Sequence, residues 1–183
     1  MNFLVIIFVF IFSFNCFSQE EENPLADNIV NYLEANYYEL GAQTGSMLPF
    51  SISNVEETYP VVGVWWAHPT HYGHIDWLLQ SAKAKGVTWY EAMFSLRIDF
   101  SVYDFFSGYF RLGPQFVHYQ AANSSSSDFE TTYGAHAGFG SYIQMAGPYW
   151  GRVDFKFGWG PGSTMDITFG IVYRWNSESS SDN

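Results

Sequence analysis

The feature that most constrains this chain is the strict two-residue alternation of its last apolar segment, TMDITFGIVYRW, residues 164–175. Met165, Ile167, Phe169, Ile171, Tyr173 and Trp175 fall on one face, and Thr164, Asp166, Thr168, Gly170, Val172 and Arg174 on the other. Successive side chains of a strand point to opposite faces, so the segment reads as a strand with one apolar and one mostly polar face. YWGRVDFKFGW, residues 149–159, repeats the pattern with Arg152, Asp154 and Lys156 on its polar face. In residues 88–100, Tyr90, Phe94, Leu96 and Ile98 oppose Glu91, Ser95, Arg97 and Asp99. A soluble sandwich also alternates, but its charged face meets water and its apolar face meets a second sheet. Here the apolar face is broad and aromatic, in a chain that is 21% Phe, Trp and Tyr, while the polar face mixes both signs of charge.

Eight such segments are predicted, at residues 37–46, 59–67, 74–84, 87–100, 108–120, 131–145, 149–159 and 164–175. Most are about the 9–11 residues that a tilted strand needs to cross a bilayer. An even number of antiparallel strands can close on itself, which satisfies every edge hydrogen bond inside lipid. The expected fold is all-β: an eight-stranded antiparallel transmembrane β-barrel over residues 37–175. Short connections are expected at 69–73, 85–86, 147–148 and 160–162, with longer loops at 47–58 and the Ser-rich 121–130. Trp66, Trp77, Phe100, Tyr149 and Trp175 gather at one predicted rim, and Tyr90, Tyr133 and Trp159 at the other, as interface girdles do.

The chain begins MNFLVIIFVFIFSFNCFSQEE, whose apolar run is too short for a spanning helix and suits a secretory signal. Cleavage is expected before Gln19, which assigns residues 1–18 to a signal peptide, 19–36 to a periplasmic lead and 176–183 to a disordered tail. The single cysteine, Cys16, then leaves with the signal, so disulfides and Cys-ligated zinc play no part in the reading. A net charge of −11 argues against nucleic acid as a partner, because phosphate binding needs basic surface.

Taken together, these segments resemble the small eight-stranded outer-membrane β-barrels of Gram-negative bacteria. The ending FGIVYRW is similar to the strand signal read by the barrel-insertion machinery, although eight residues follow Trp175 where that family usually ends. The resemblance implies a location in the cell outer membrane and contact with outer-membrane lipid. It leaves other outer-membrane or periplasmic proteins as partners. It does not select an activity, since the architecture includes anchors, adhesins, narrow channels and lipid-modifying enzymes.

Parity places Glu39, Asp76, Glu91, Arg97, Asp99, Arg111, His136, Arg152, Asp154, Lys156, Asp166 and Arg174 on inward faces. An eight-stranded barrel is only wide enough for side chains to fill its interior, and buried charges must be paired. The expectation is a salt-bridged lumen in a non-enzymatic barrel acting as a structural or interaction subunit or a surface protein. The alternative is a narrow channel or small-ligand transporter. No cofactor is expected. Barrel lipid A deacylases carry His-x-Ser-Asn, whereas HYQAAN at 118–123 has Gln120 where the nucleophile would stand. His118 shares parity with the lipid-facing set unless Pro114 marks a bulge that resets the phase. AHPTHYGHID, residues 67–76, holds His68, His71 and His74 with Asp76, but Pro69 and Gly73 are expected to interrupt the strands there. The segment is read as an interfacial turn rather than a metal site.

Overall fold

The computed structural model describes residues 37–50, 57–71, 73–84, 86–120 and 129–176. The expected signal peptide, periplasmic lead and tail therefore lie outside the described residues, apart from Asn176, as does most of the Ser-rich loop. Eight strands run in chain order: β1 (Tyr37–Phe50), β2 (Tyr59–Thr70), β3 (Gly73–Ala84), β4 (Val87–Tyr103), β5 (Phe106–Gln120), β6 (Glu130–Ala146), β7 (Tyr149–Trp159) and β8 (Ser163–Asn176). Each pairs antiparallel with its neighbour in sequence, and β1 pairs with β8 from Tyr37↔Asn176 to Phe50↔Ser163. The sheet is thus a closed barrel with no free edge, the only open-water-free solution for strand hydrogen bonds in lipid.

Alternation decides which way each side chain faces. Leu40, Val64, Leu79, Leu96, Phe110, Leu112, Phe169 and Ile171 lie outside, between 45% and 64% exposed. Such an apolar wall around a whole molecule is stable only against hydrocarbon. Around the rim that carries Tyr37, Trp66 pairs with Trp77, and Trp175 stacks on both Tyr38 and Tyr173 at 5.6 Å. At the opposite rim Tyr90, His118 and Phe129 stack together. At the Tyr37 rim β2–β3, β4–β5 and β6–β7 are each separated by two residues, whereas β1 and β2 are separated by eight and β5 and β6 by nine at the other rim. This asymmetry matches that of outer-membrane barrels.

Several strands are longer than alternation suggests. β1 continues through Met47 and Pro49 to Phe50, a stretch expected to be loop, because each position still finds a partner on β8. β2 likewise runs through Pro69 to Thr70, and β3 begins at Gly73, so the pairing Pro69↔His74 carries parity across a hairpin expected to be interrupted. β4 and β5 meet at Tyr103↔Phe106 rather than through a loop from 101 to 107. Pro114 does not reset β5: the register with β6 is continuous across Pro114↔Ala135, and His118 remains outside.

Glycine sets the inner diameter at one place. A Cβ at Gly41 would lie 2.4 Å from the Trp65 indole, and one at Gly170 would lie 2.7 Å from it. These two positions form the slot into which Trp65, 2% exposed, turns its ring. Filling the slot is expected to overpack the lumen: Gly41→Val should cost about 1–3 kcal/mol. Urea unfolding of the barrel in detergent, followed by tryptophan fluorescence, checks this, with Leu112→Val on the lipid face as the near-neutral control.

Candidate functional site

The inward faces bring the predicted polar residues into one continuous lumen, in layers from the Tyr37 rim upward. In the lowest layer Arg97, from β4, is the hub. Its Nη1 donates to Glu39 Oε2 at 2.7 Å and to the Tyr142 hydroxyl at 2.7 Å, and lies 3.1 Å from Asp76 Oδ1. Its Nε is 3.0 Å from Asp99 Oδ1. Arg174 Nε donates to the other Glu39 oxygen at 2.8 Å, and its guanidinium stacks on Tyr142 and Trp150, each at 4.2 Å. His74 bridges Asp99 Oδ2, at 2.7 Å, to the Tyr37 carbonyl, at 3.1 Å.

The middle layer is built on Asp154 of β7, which accepts from Arg111 Nη2 and from the Tyr109 hydroxyl. Arg152 Nε donates to that same hydroxyl at 2.7 Å, and its guanidinium lies 4.5 Å over the Trp65 ring. Tyr109 and Tyr142 are 5.1 Å apart and join the two layers, with Arg97 and Arg152 against both rings. Glu39, Asp76, Asp99 and Asp154 are thereby matched by Arg97, Arg111, Arg152 and Arg174, four charges of each sign.

The third layer is different in kind. Lys156 Nζ meets Glu91 Oε2 at 2.7 Å and Asp166 Oδ2 at 2.8 Å, so two carboxylates share one ammonium. Gln80 Nε2 donates to the same two oxygens, at 2.6 Å each, and gives each a second donor. Near it, Ser95 Oγ lies 2.7 Å from His136 Nε2. That spacing would suit a serine activated by a base. Ser95 is 0% and His136 2% exposed, however, and both are buried inside the barrel. Above this layer the lumen ends in an apolar plug of Met47, Tyr59, Val61, Ala82, Val87, Trp89 and Val117, all buried.

All twelve predicted lumen residues face inward, and eleven are at most 3% exposed; the Arg174 side chain is 8% exposed. Tyr109, Tyr142, Gln80 and Ser95 also belong to the network but escape a search for charge. Their parity with Arg111, His136, Asp76 and Arg97 is the signal that places them. The histidine turn divides: His74 and Asp76 point inward, while His71 is exposed and His68 packs outside against Tyr38 at 5.0 Å. The three imidazoles do not converge.

No family model matches the chain, and no curated protein matches it in sequence. Solved structures do. The Neisserial surface protein A is 11% identical, with a TM-score of 0.62 over 76% of this chain and 96% of that one. The N-terminal β-barrel domain of Pseudomonas aeruginosa OprF is 13% identical, with a TM-score of 0.61 over 77% of this chain and 98% of that one. Ail, the attachment invasion locus protein of Yersinia pestis, is 8% identical, with a TM-score of 0.54 over 78% and 99%. The fold is that of the small eight-stranded outer-membrane β-barrels. Its apolar outer band suits that fold to a lipid bilayer.

Arg97 is predicted to be the most sensitive charge in this barrel. Arg97→Met leaves three carboxylates without their common cation, and losing one member of a buried ion cluster costs about 3–5 kcal/mol. Lys83→Met, at an exposed position on β3, should change stability by less than about 0.5 kcal/mol. Urea unfolding in lipid vesicles compares the two.

Proposed function

We propose that this chain is a non-conducting, non-enzymatic outer-membrane barrel that works as a structural or interaction subunit or as a surface protein. The observation that carries this reading is the filled lumen. Two ion-paired layers, a shared-ammonium layer and an apolar plug follow one another from rim to rim, and each is buried. A hydrated ion entering such a core would have to displace carboxylate–guanidinium pairs whose separation leaves unpaired charge in a low-dielectric space. With the lumen occupied by its own side chains, what remains for recognition is the outside: the lipid-facing wall, the rims and the loops. Outer-membrane lipid and other outer-membrane or periplasmic proteins are therefore the partners we assign to it.

Reconstitution into planar bilayers is expected to give no discrete conductance steps for the wild-type chain across a wide voltage range. Regular unitary steps would replace this reading with that of a narrow channel.

A further inference from the structure

The wall of the barrel is not uniform. Across β1, β2 and β3 the outward positions Ala42 and Ser81 are small, and the inward position between them, Gly63, has no side chain. Val62, Val64, Leu79 and Tyr90 stand around them, leaving a groove of about 570 Å³ that opens toward the lipid. The register explains the depression. Val62 pairs with Ser81 and Ser81 with Tyr90 in one row across the strands, while Ala42, Val64 and Leu79 form the next. On other strands the same face carries large residues such as Phe110 and Leu112, along with small ones at Ala135, Ala137 and Gly151. The groove is apolar, faces hydrocarbon over most of its lining and reaches the aromatic girdle at Tyr90.

Its upper end is marked by charge. Outward residues on β3 follow the order Leu79, Ser81, Lys83, so Lys83 stands one same-face step, about 7 Å, beyond the groove-lining Ser81. Among the described residues Lys83 is the only lysine or arginine on the outer surface, because Arg97, Arg111, Arg152, Lys156 and Arg174 are all turned into the lumen. Its level is that of the girdle formed by Tyr90, His118 and Phe129, where lipid headgroups meet a barrel. A chain with net charge −11 thus presents its one described external cation directly above its lipid-facing groove.

We propose that this groove is a binding site for an anionic, phosphate-bearing membrane lipid, whose acyl chain lies along Leu79 and Ser81 and whose phosphate meets Lys83. Apolar burial of the chain and the attraction of one ammonium for one phosphate act on the same molecule, and neither depends on whether the lumen conducts. A lipid with the same tails and a zwitterionic headgroup fits the groove but carries no net charge to complement Lys83 in an acidic protein.

Native mass spectrometry of the detergent-solubilised full chain tests this. The barrel is offered equal amounts of phosphatidylglycerol and phosphatidylcholine with identical acyl chains. Wild type is expected to retain phosphatidylglycerol preferentially. Lys83→Glu should abolish that preference, Ser81→Trp should remove the adducts of both lipids, and Leu112→Trp on another part of the wall should leave them intact. Equal retention of the two lipids by wild type would overturn the proposal, as would wild-type retention by Lys83→Glu. Glycerol phosphate competing as well as the lipid would show a phosphate site without an acyl groove. A wild-type dimer lost in Ser81→Trp, with lipid adducts unaffected, would assign the groove to a second copy. Should Ser81→Trp fail to fold, Lys83→Glu, at an exposed position, decides the matter alone.

Discussion

Five of the seven cationic side chains of this protein are enclosed by its own sheet, and the need to pair them shapes everything inside the barrel. Arg97 shows how. One guanidinium gathers Glu39 from β1, Asp76 from β3, Asp99 from its own strand and the Tyr142 hydroxyl from β6. Removing any of these strands would leave a charge in a cavity too narrow to hydrate it. The pairing therefore ties together strands far apart in the sequence and around the barrel, which backbone hydrogen bonds between neighbours cannot do. Closure of the sheet and occupation of its interior are two aspects of one constraint, since the charges are tolerable only if paired and are paired only if the barrel closes.

Aromatic side chains complete what charge begins. Arg152 is held between the Tyr109 hydroxyl, Asp154 and the face of Trp65, and Trp65 in turn rests in the slot left by Gly41 and Gly170. Guanidinium groups stack on rings more readily than ammonium groups do, because they are planar and weakly hydrated. That accounts for arginine in the two layers rich in Tyr and Trp, and for lysine in the third, where its partners are Glu91 and Asp166, with Gln80 beside them. The network gives the lumen a defined interior and leaves the outer wall to deal with lipid.

Much of this was legible in the residues themselves. A period of two, sustained through residues 149–159 and 164–175, names strands, and the match of apolar faces from strand to strand names a membrane barrel. Parity alone assigns Arg97, Arg152, Asp154 and Asp166 to the interior. Which charge meets which was not legible: Arg97 and Glu39 are 58 residues apart, and their meeting depends on strand tilt, which alternation does not encode. Strand ends were also obscured. Pro49 and Pro69 resemble terminators, yet a proline can occupy a ladder position whose N–H needs no partner. The apolar plug was hidden for another reason. Met47, Val61 and Trp89 occupy the face that is polar elsewhere, so they read as interruptions of a pattern rather than as the lid of a lumen.

The central claim is that the lumen is sealed by its own side chains, and Ser95 is the place to test it. It lies in the polar layer beneath the plug, 0% exposed and bonded to His136. A Ser95→Cys substitution, nearly the same size, in a Cys16→Ser background gives a folded barrel with one thiol in its interior. Exposed to a small, water-soluble, membrane-impermeant maleimide, this thiol is predicted to stay unmodified in the folded barrel and to react fully after urea unfolding. Rapid labelling of the folded barrel would mean that water and solutes reach the lumen from a rim, and the account of a closed, charge-paired core would be wrong.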